Sequence, residues 1–118
     1  MKAKDKIEQM KAPDISIQKL FEYTRDSAVV VRANAVIKLA ENFGSQKEVV
    51  DYLVQLARDR KNDVIAMGPT KLSHLIVGYL DTIGTEYSRT AVAHLIEEWP
   101  QETNDKSDLL AFLNRTDL

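Results

Sequence analysis

The sequence predicts an all-α domain, a short right-handed α-α superhelix of about three stacked helical hairpins. Three observations predict it: apolar residues recur at helical spacing along most of the 118-residue chain, glycine and proline separate these stretches, and two patterns repeat at fixed offsets. With 44% hydrophobic and 29% charged residues, the composition is typical of a folded globular chain. We therefore expect residues 1–118 to form a single domain around one core.

The first two helices are bounded by residues that typically start and stop helices. Apolar residues at helical spacing predict a first helix over residues 14–25, after Pro13, and leave residues 1–13 as an N-terminal cap segment. Ser27 can cap a second helix, whose apolar stripe runs to Gly44. The β-branched residues at its start would suit a strand, but the helical pattern continues further than most strands do. A helix is therefore predicted.

The second half of the chain contains a break and further helices. Gly68 and Pro69 interrupt the helical pattern, because proline lacks a backbone N–H and clashes with the preceding helical turn. We predict a break or a sharp kink there, and no appreciable strand content in the chain as a whole. The apolar stripes predict a third helix over 45–57, a fourth over 72–83, a fifth over 87–99 and a short sixth around 109–113.

Two recurring patterns divide these helices into units. Residues 20–26 resemble residues 53–59, 33 positions later, and in both segments a valine follows the aspartate by five residues. Residues 39–44 resemble residues 79–84, 40 positions later. Offsets of this size indicate stacked supersecondary units, and three units are enough for a stable stack. The predicted units cover about 14–44, 45–84 and 85–115.

The first unit is similar to the HEAT-repeat family, whose hairpins carry an aspartate in the turn and a Val-Arg pair a few residues later. The matching residues are Asp26, Val31, Arg32, Ala35 and Leu39. The second unit keeps Asp59 and Val64 but has Ile65 where the family has arginine, and the third keeps only the apolar spacing. The resemblance covers roughly residues 14–112 and implies a helical-repeat fold.

Arg32 is predicted to lie within the apolar arc of its helix, where an unpaired charge would be costly. The resemblance implies a structural role, in which Arg32 bonds Asp26, Asp59 or a carbonyl at a helix end and ties adjacent units together. The alternative is a buried anion site. Such a site needs a second cation nearby, and the sequence does not identify one.

Polar residues of the second and fourth predicted helices align through the 40-residue offset. The aligned pairs are Asn34 with His74, Lys38 with Gly78, and Glu41 with Asp81. In HEAT-repeat proteins the second helices line the concave surface on which partners dock, so the resemblance implies a shared groove with a notch at Gly78. The residues assigned to this groove are Asn34, Lys38, Glu41, Lys71, His74, Gly78 and Asp81. An ordinary solvated face is the alternative interpretation.

Charge and hydropathy restrict the expected partners. Sixteen Lys and Arg against 18 Asp and Glu give a net charge of -2, whereas nucleic-acid binders carry a basic excess. No apolar run reaches the length of a signal peptide or a membrane span. We therefore expect a cytoplasmic protein that binds neither nucleic acid nor membrane, and the mixed charge favours a protein or peptide partner.

The sequence contains no recognisable catalytic motif. It has no cysteine, no phosphate-binding lysine loop and no nucleophile elbow. His74 and His94 have no second histidine at metal-ligand spacing, so we expect no metal and no cofactor. Trp99 is expected in core or cap packing. These features favour a non-enzymatic interaction module or scaffold, and the alternative is an enzyme or enzyme accessory similar to the HEAT-like bilin lyases and chaperones.

Overall fold

The computed structural model describes residues 1–100 and 104–116. Within these ranges, helices account for most residues, which confirms the predicted predominance of helix. The helices are α1 (Ala3–Met10), α2 (Ile17–Tyr23), α3 (Val29–Phe43), α4 (Lys47–Arg58), α5 (Leu72–Ile83), α6 (Glu86–Glu98) and α7 (Asp105–Thr116). A 3₁₀ turn (Arg60–Asn62) and a hairpin of two short antiparallel strands, β1 (Ile65–Met67) and β2 (Thr70–Lys71), connect α4 to α5.

The helices alternate between two rows. α1, α3, α5 and α7 pack side by side in chain order, while α4 packs beside α6 in the second row. α2 joins that second row through Phe21, whose ring stacks on Tyr52 of α4 with centroids 4.1 Å apart. α5 contacts α3, α4, α6 and α7 and therefore lies at the centre of the core.

α5 is buried on all sides along its first two turns. Every residue from Leu72 to Gly78 is buried, including the polar Ser73 and His74. This segment contains no Asp, Glu, Lys or Arg, and a helix without a charged face is typically covered all round. The sequence predicts the bounds of α5. The open groove expected at His74 and Gly78 is not present, because α7 covers both residues.

The break predicted at Gly68 and Pro69 is confirmed, although its form differs from the expectation. The two residues form the turn of the β1–β2 hairpin, whose two short strands the sequence pattern does not indicate. Gly68 adopts φ +51°, a left-handed conformation that favours glycine. Val64 accepts a hydrogen bond from the Leu72 backbone N–H at 2.8 Å, which fixes the hairpin to the start of α5.

The two ends of the chain contain more helix than the sequence predicts. α1 lies within the segment 1–13 and packs against α3, with Met10 buried. α7 is twelve residues long and begins at Asp105, ahead of the short helix predicted around 109–113. None of the helices in the described ranges has the length and apolarity needed to cross a membrane.

Candidate functional site

Asp105 lies at the start of α7 and bonds three side chains, from β2, from α5 and from the end of α6. Its Oδ1 accepts hydrogen bonds from Lys71 Nζ at 2.6 Å and His74 Nε2 at 3.1 Å, and its Oδ2 accepts one from Trp99 Nε1 at 2.5 Å. We call Lys71, His74, Trp99 and Asp105 the Asp105 cluster. His74 and Trp99 are buried, and the sequence prediction that Trp99 packs in the core or cap is confirmed. The cluster fixes α7 to α5.

The Asp105 cluster holds its carboxylate in the charged form. Burial of the Asp105 carboxyl opposes ionisation, but the hydrogen bonds from Lys71, Trp99 and His74 outweigh it and lower the pKa of Asp105 from 3.8 to about 2. The hydrogen bond that Lys71 donates to Asp105 also raises the pKa of Lys71. The salt bridge between these two residues is therefore formed throughout the neutral pH range.

The stability of the protein should fall as the pH falls from about 4 to about 2. A carboxyl whose folded pKa lies below its unfolded value stabilises the fold above the unfolded pKa and loses that contribution on protonation. The shift from 3.8 to about 2 corresponds to about 2 kcal/mol. Urea titrations at several pH values check this expectation. Asp105→Asn should flatten the dependence in that window, and a slope identical to that of the natural protein would contradict it.

The structure does not bring the predicted groove residues together on one open surface. Lys71 and His74 bond Asp105 beneath α7, and Gly78 is buried in the same interface. On α3, Asn34 and Lys38 are half-buried, and the Asn34 side-chain amide donates to the Val30 carbonyl at 2.8 Å. Glu41 and Asp81 are exposed. The helix α7 therefore occupies the part of the predicted groove that Lys71, His74 and Gly78 form.

The notch predicted at Gly78 is filled by Phe112 of α7. A Cβ at position 78 would lie 2.7 Å from Phe112 Cε2, which is shorter than an ordinary van der Waals contact. A side chain at position 78 would therefore require the Phe112 ring to shift. The expectation that residue 78 faces a partner is therefore corrected, because the chain itself supplies the aromatic side chain in the notch.

Arg32 bonds the backbone of the α2–α3 connection. Its Nη1 donates to the carbonyl oxygens of Asp26 at 2.9 Å and Ser27 at 3.2 Å. The Asp26 carboxylate instead forms a salt bridge with Lys6, whose hydrogen bond is the main cause of the lowered pKa of Asp26. Asp59 caps the 3₁₀ turn by accepting from the Lys61 backbone N–H. Arg32 therefore bonds backbone carbonyls, which are one of the predicted kinds of partner, and not the carboxylate of Asp26 or Asp59.

An open groove lies between α4 and α6, with a volume of about 530 Å³. Residues spaced by one helical turn on each helix face each other across it. The lining residues are Lys47, Asp51, Val54 and Arg58 of α4 and Glu86, Tyr87, Thr90, Ala91 and His94 of α6. The sequence does not predict this groove, because the HEAT-repeat resemblance implies a partner surface on the second helix of each unit. The polar spacing of Lys47, Asp51 and Arg58, opposite the apolar stripe of α4, was the available signal.

Polar contacts hold the walls of the α4–α6 groove in place. Tyr87 donates its hydroxyl hydrogen to Asp51 Oδ1 at 2.6 Å, and Lys47 Nζ lies 5.2 Å from the centroid of the Tyr87 ring. The bond to Asp51 raises the pKa of Tyr87, so the phenol remains a donor. Within the described ranges, the side chains of Glu86 and His94 have no hydrogen-bond or ion-pair partner. These two groups are available to a ligand.

Among the residues that the structure describes, no group of three or more His, Cys, Asp or Glu side chains is placed to hold a metal ion. Comparisons with protein-family models, with curated proteins and with solved structures found no match to this chain. Function is therefore inferred from the geometry of the chain itself.

Proposed function

We propose that this chain is a non-enzymatic protein-interaction module that binds a polypeptide segment in the α4–α6 groove. The observation that carries this proposal is the composition of the groove, which combines an aromatic ring, an apolar floor and charges of both signs. Protein interfaces typically combine such features, with tyrosine enriched and its ring supplying contact area at low entropic cost. We therefore propose α4 and α6 as the partner surface, in place of the second helices that the HEAT resemblance implied.

The groove suits an extended or helical peptide. Val54 and Ala91 offer apolar surface between the two helices, and Tyr87 projects beside them with 39% of its surface exposed. The unpartnered Glu86 and His94 side chains can bond polar groups of the peptide. Because Asp51 and Lys47 already hold the Tyr87 ring, little side-chain freedom remains to be lost when a partner binds.

We infer that the two rows of helices are a short right-handed stack of the HEAT type. The alternation of rows in chain order supports this inference, as does the similarity of the segment around Asp26 and Arg32 to the repeat turn. In such a stack, α2, α4 and α6 are the first helices of three units, and α7 is the last second helix. α1 then takes the place of a second helix before the first unit.

The proposed function is tested by photo-crosslinking from inside the groove. A benzophenone side chain at Thr90, introduced in the cells that make this protein, should give a discrete crosslink to one polypeptide. Tyr87→Ala should reduce that crosslink at least about fivefold, because tyrosines that a bound partner covers are often among the strongest contributors to binding. The fold should persist, since Tyr87 is exposed.

The matched control is the same benzophenone at Gln18, which is exposed on α2. The proposal predicts no discrete crosslink from that position. Equal crosslinking from both positions, or a Thr90 crosslink that Tyr87→Ala leaves unchanged, would show that the groove does not bind the partner.

A further inference from the structure

A second cleft opens between the α2–α3 connection and the 3₁₀ turn, with a volume of about 350 Å³. It shares no lining residue with the α4–α6 groove. Three cationic side chains from separate parts of the chain converge on it, namely Arg25, Arg32 and Lys61. The sequence identifies Arg32 as a possible anion ligand that lacks a second cation, and the fold supplies two.

One nitrogen of the Arg32 guanidinium is open to a ligand. Both of its hydrogen bonds to the carbonyls of Asp26 and Ser27 come from Nη1. Its Nε is shielded from solvent and has no hydrogen-bond partner among the described residues, so an oxyanion does not reach it. Nη2 also has no hydrogen-bond partner within those residues but is not shielded, so it can donate to a carboxylate or phosphate oxygen in the cleft.

The charges around the cleft leave a positive excess. Asp26 is neutralised by its salt bridge with Lys6 and also accepts a hydrogen bond from the Ala28 backbone N–H at 2.9 Å. Asp59 remains the single uncommitted negative charge, and one of its oxygens caps the 3₁₀ turn. Within the described residues, the side chains of Arg25 and Lys61 form no ion pair. Three cations against one such carboxylate leave an excess suited to a dianion.

We propose that this cleft binds a phosphate group, with Arg32 as a ligand through Nη2 and Arg25 and Lys61 as the flanking cations. A phosphate monoester carries a charge of about -1.5 to -2 at pH 7, which matches the excess. The positive charge of this cleft contrasts with the net charge of -2 of the whole chain. The phosphate can belong to a small metabolite or to a phosphorylated side chain of another protein, and both sources present the same group.

The test is titration of the ¹⁵N-labelled protein with inorganic phosphate at constant ionic strength, with chloride as the reference anion. Phosphate should shift the backbone amides of residues 25–28 and 60–62 saturably, and chloride should not. Arg25→Ala combined with Lys61→Ala should raise the Kd at least about tenfold, because two charge-assisted contacts are lost. Both residues are exposed, so the amide spectrum of the variant should otherwise keep the natural pattern.

The control variant removes the same number of charges elsewhere, through Lys4→Ala and Arg89→Ala, which are exposed on α1 and α6. Its Kd should change by less than about twofold, since neither residue lines the cleft. Shifts that chloride reproduces, shifts at other amides only, or equal weakening by both double variants would overturn the proposal. A phosphoserine peptide and a small phosphate ester, titrated in parallel, identify the source by which of them binds more tightly than inorganic phosphate.

Discussion

Asp105→Ala is expected to reduce the free energy of unfolding by about 3 kcal/mol, because it leaves two buried donors without an acceptor. Those donors are the His74 ring and the Trp99 indole, which both bond the Asp105 carboxylate. Lys71 also loses its partner, but its side chain is 35% exposed and can be rehydrated. The loss should be measured by urea unfolding followed through the fluorescence of Trp99, the only tryptophan.

Asp108→Ala is the matched control for this prediction. Asp108 lies in the same first turn of α7 and is exposed, so its removal changes the charge at the helix N-terminus without breaking the Asp105 cluster. Asp108→Ala should reduce the free energy of unfolding by less than about 1 kcal/mol, the usual size of such a helix-dipole contribution. Equal losses in the two variants would mean that the cluster does not stabilise the docking of α7.

Leu39→Ala should cost about 2 to 5 kcal/mol, as large-to-small changes in packed cores do. The Leu39 side chain is fully buried where α3 meets its neighbours, and the cavity cannot collapse without moving several helices. Leu75→Ala on α5 is expected to lie in the same range. Val30→Ala on the solvated side of α3 should be nearly neutral. A loss below about half a kcal/mol for Leu39→Ala would place that side chain outside the core.

Hydrophobic periodicity predicts the helices because each helix buries one face, and that face depends on residues close in sequence. α5 is found at Leu72–Ile83, as the apolar stripe predicts. Gly84 ends it at φ +73°. Capping was predicted less well, since Ser27 does not cap α3. Ala28 takes the cap position without a side-chain hydrogen bond.

The candidate sites could not be predicted in the same way, because they depend on contacts between distant residues. Lys71 and Asp105 are 34 positions apart, and no local pattern indicates that they meet. The absence of charge from Leu72 to Leu80 does indicate a helix covered on all sides, although it does not identify the covering element. The convergence of Arg25 and Lys61 on Arg32 likewise depends on how the α2–α3 connection packs beside the 3₁₀ turn.

Among the described helices, α5 lies innermost, and α7 covers the part of the predicted groove that Lys71, His74 and Gly78 form. Hydrogen–deuterium exchange of the natural protein and of Asp105→Ala tests this arrangement most directly, since exchange reports local opening. We predict that the amides of Leu72–Leu80 exchange most slowly in the natural protein and that Asp105→Ala accelerates exchange in α5 and α7 before other helices. Exchange in α5 as fast as in α1, or insensitive to Asp105→Ala, would contradict this arrangement.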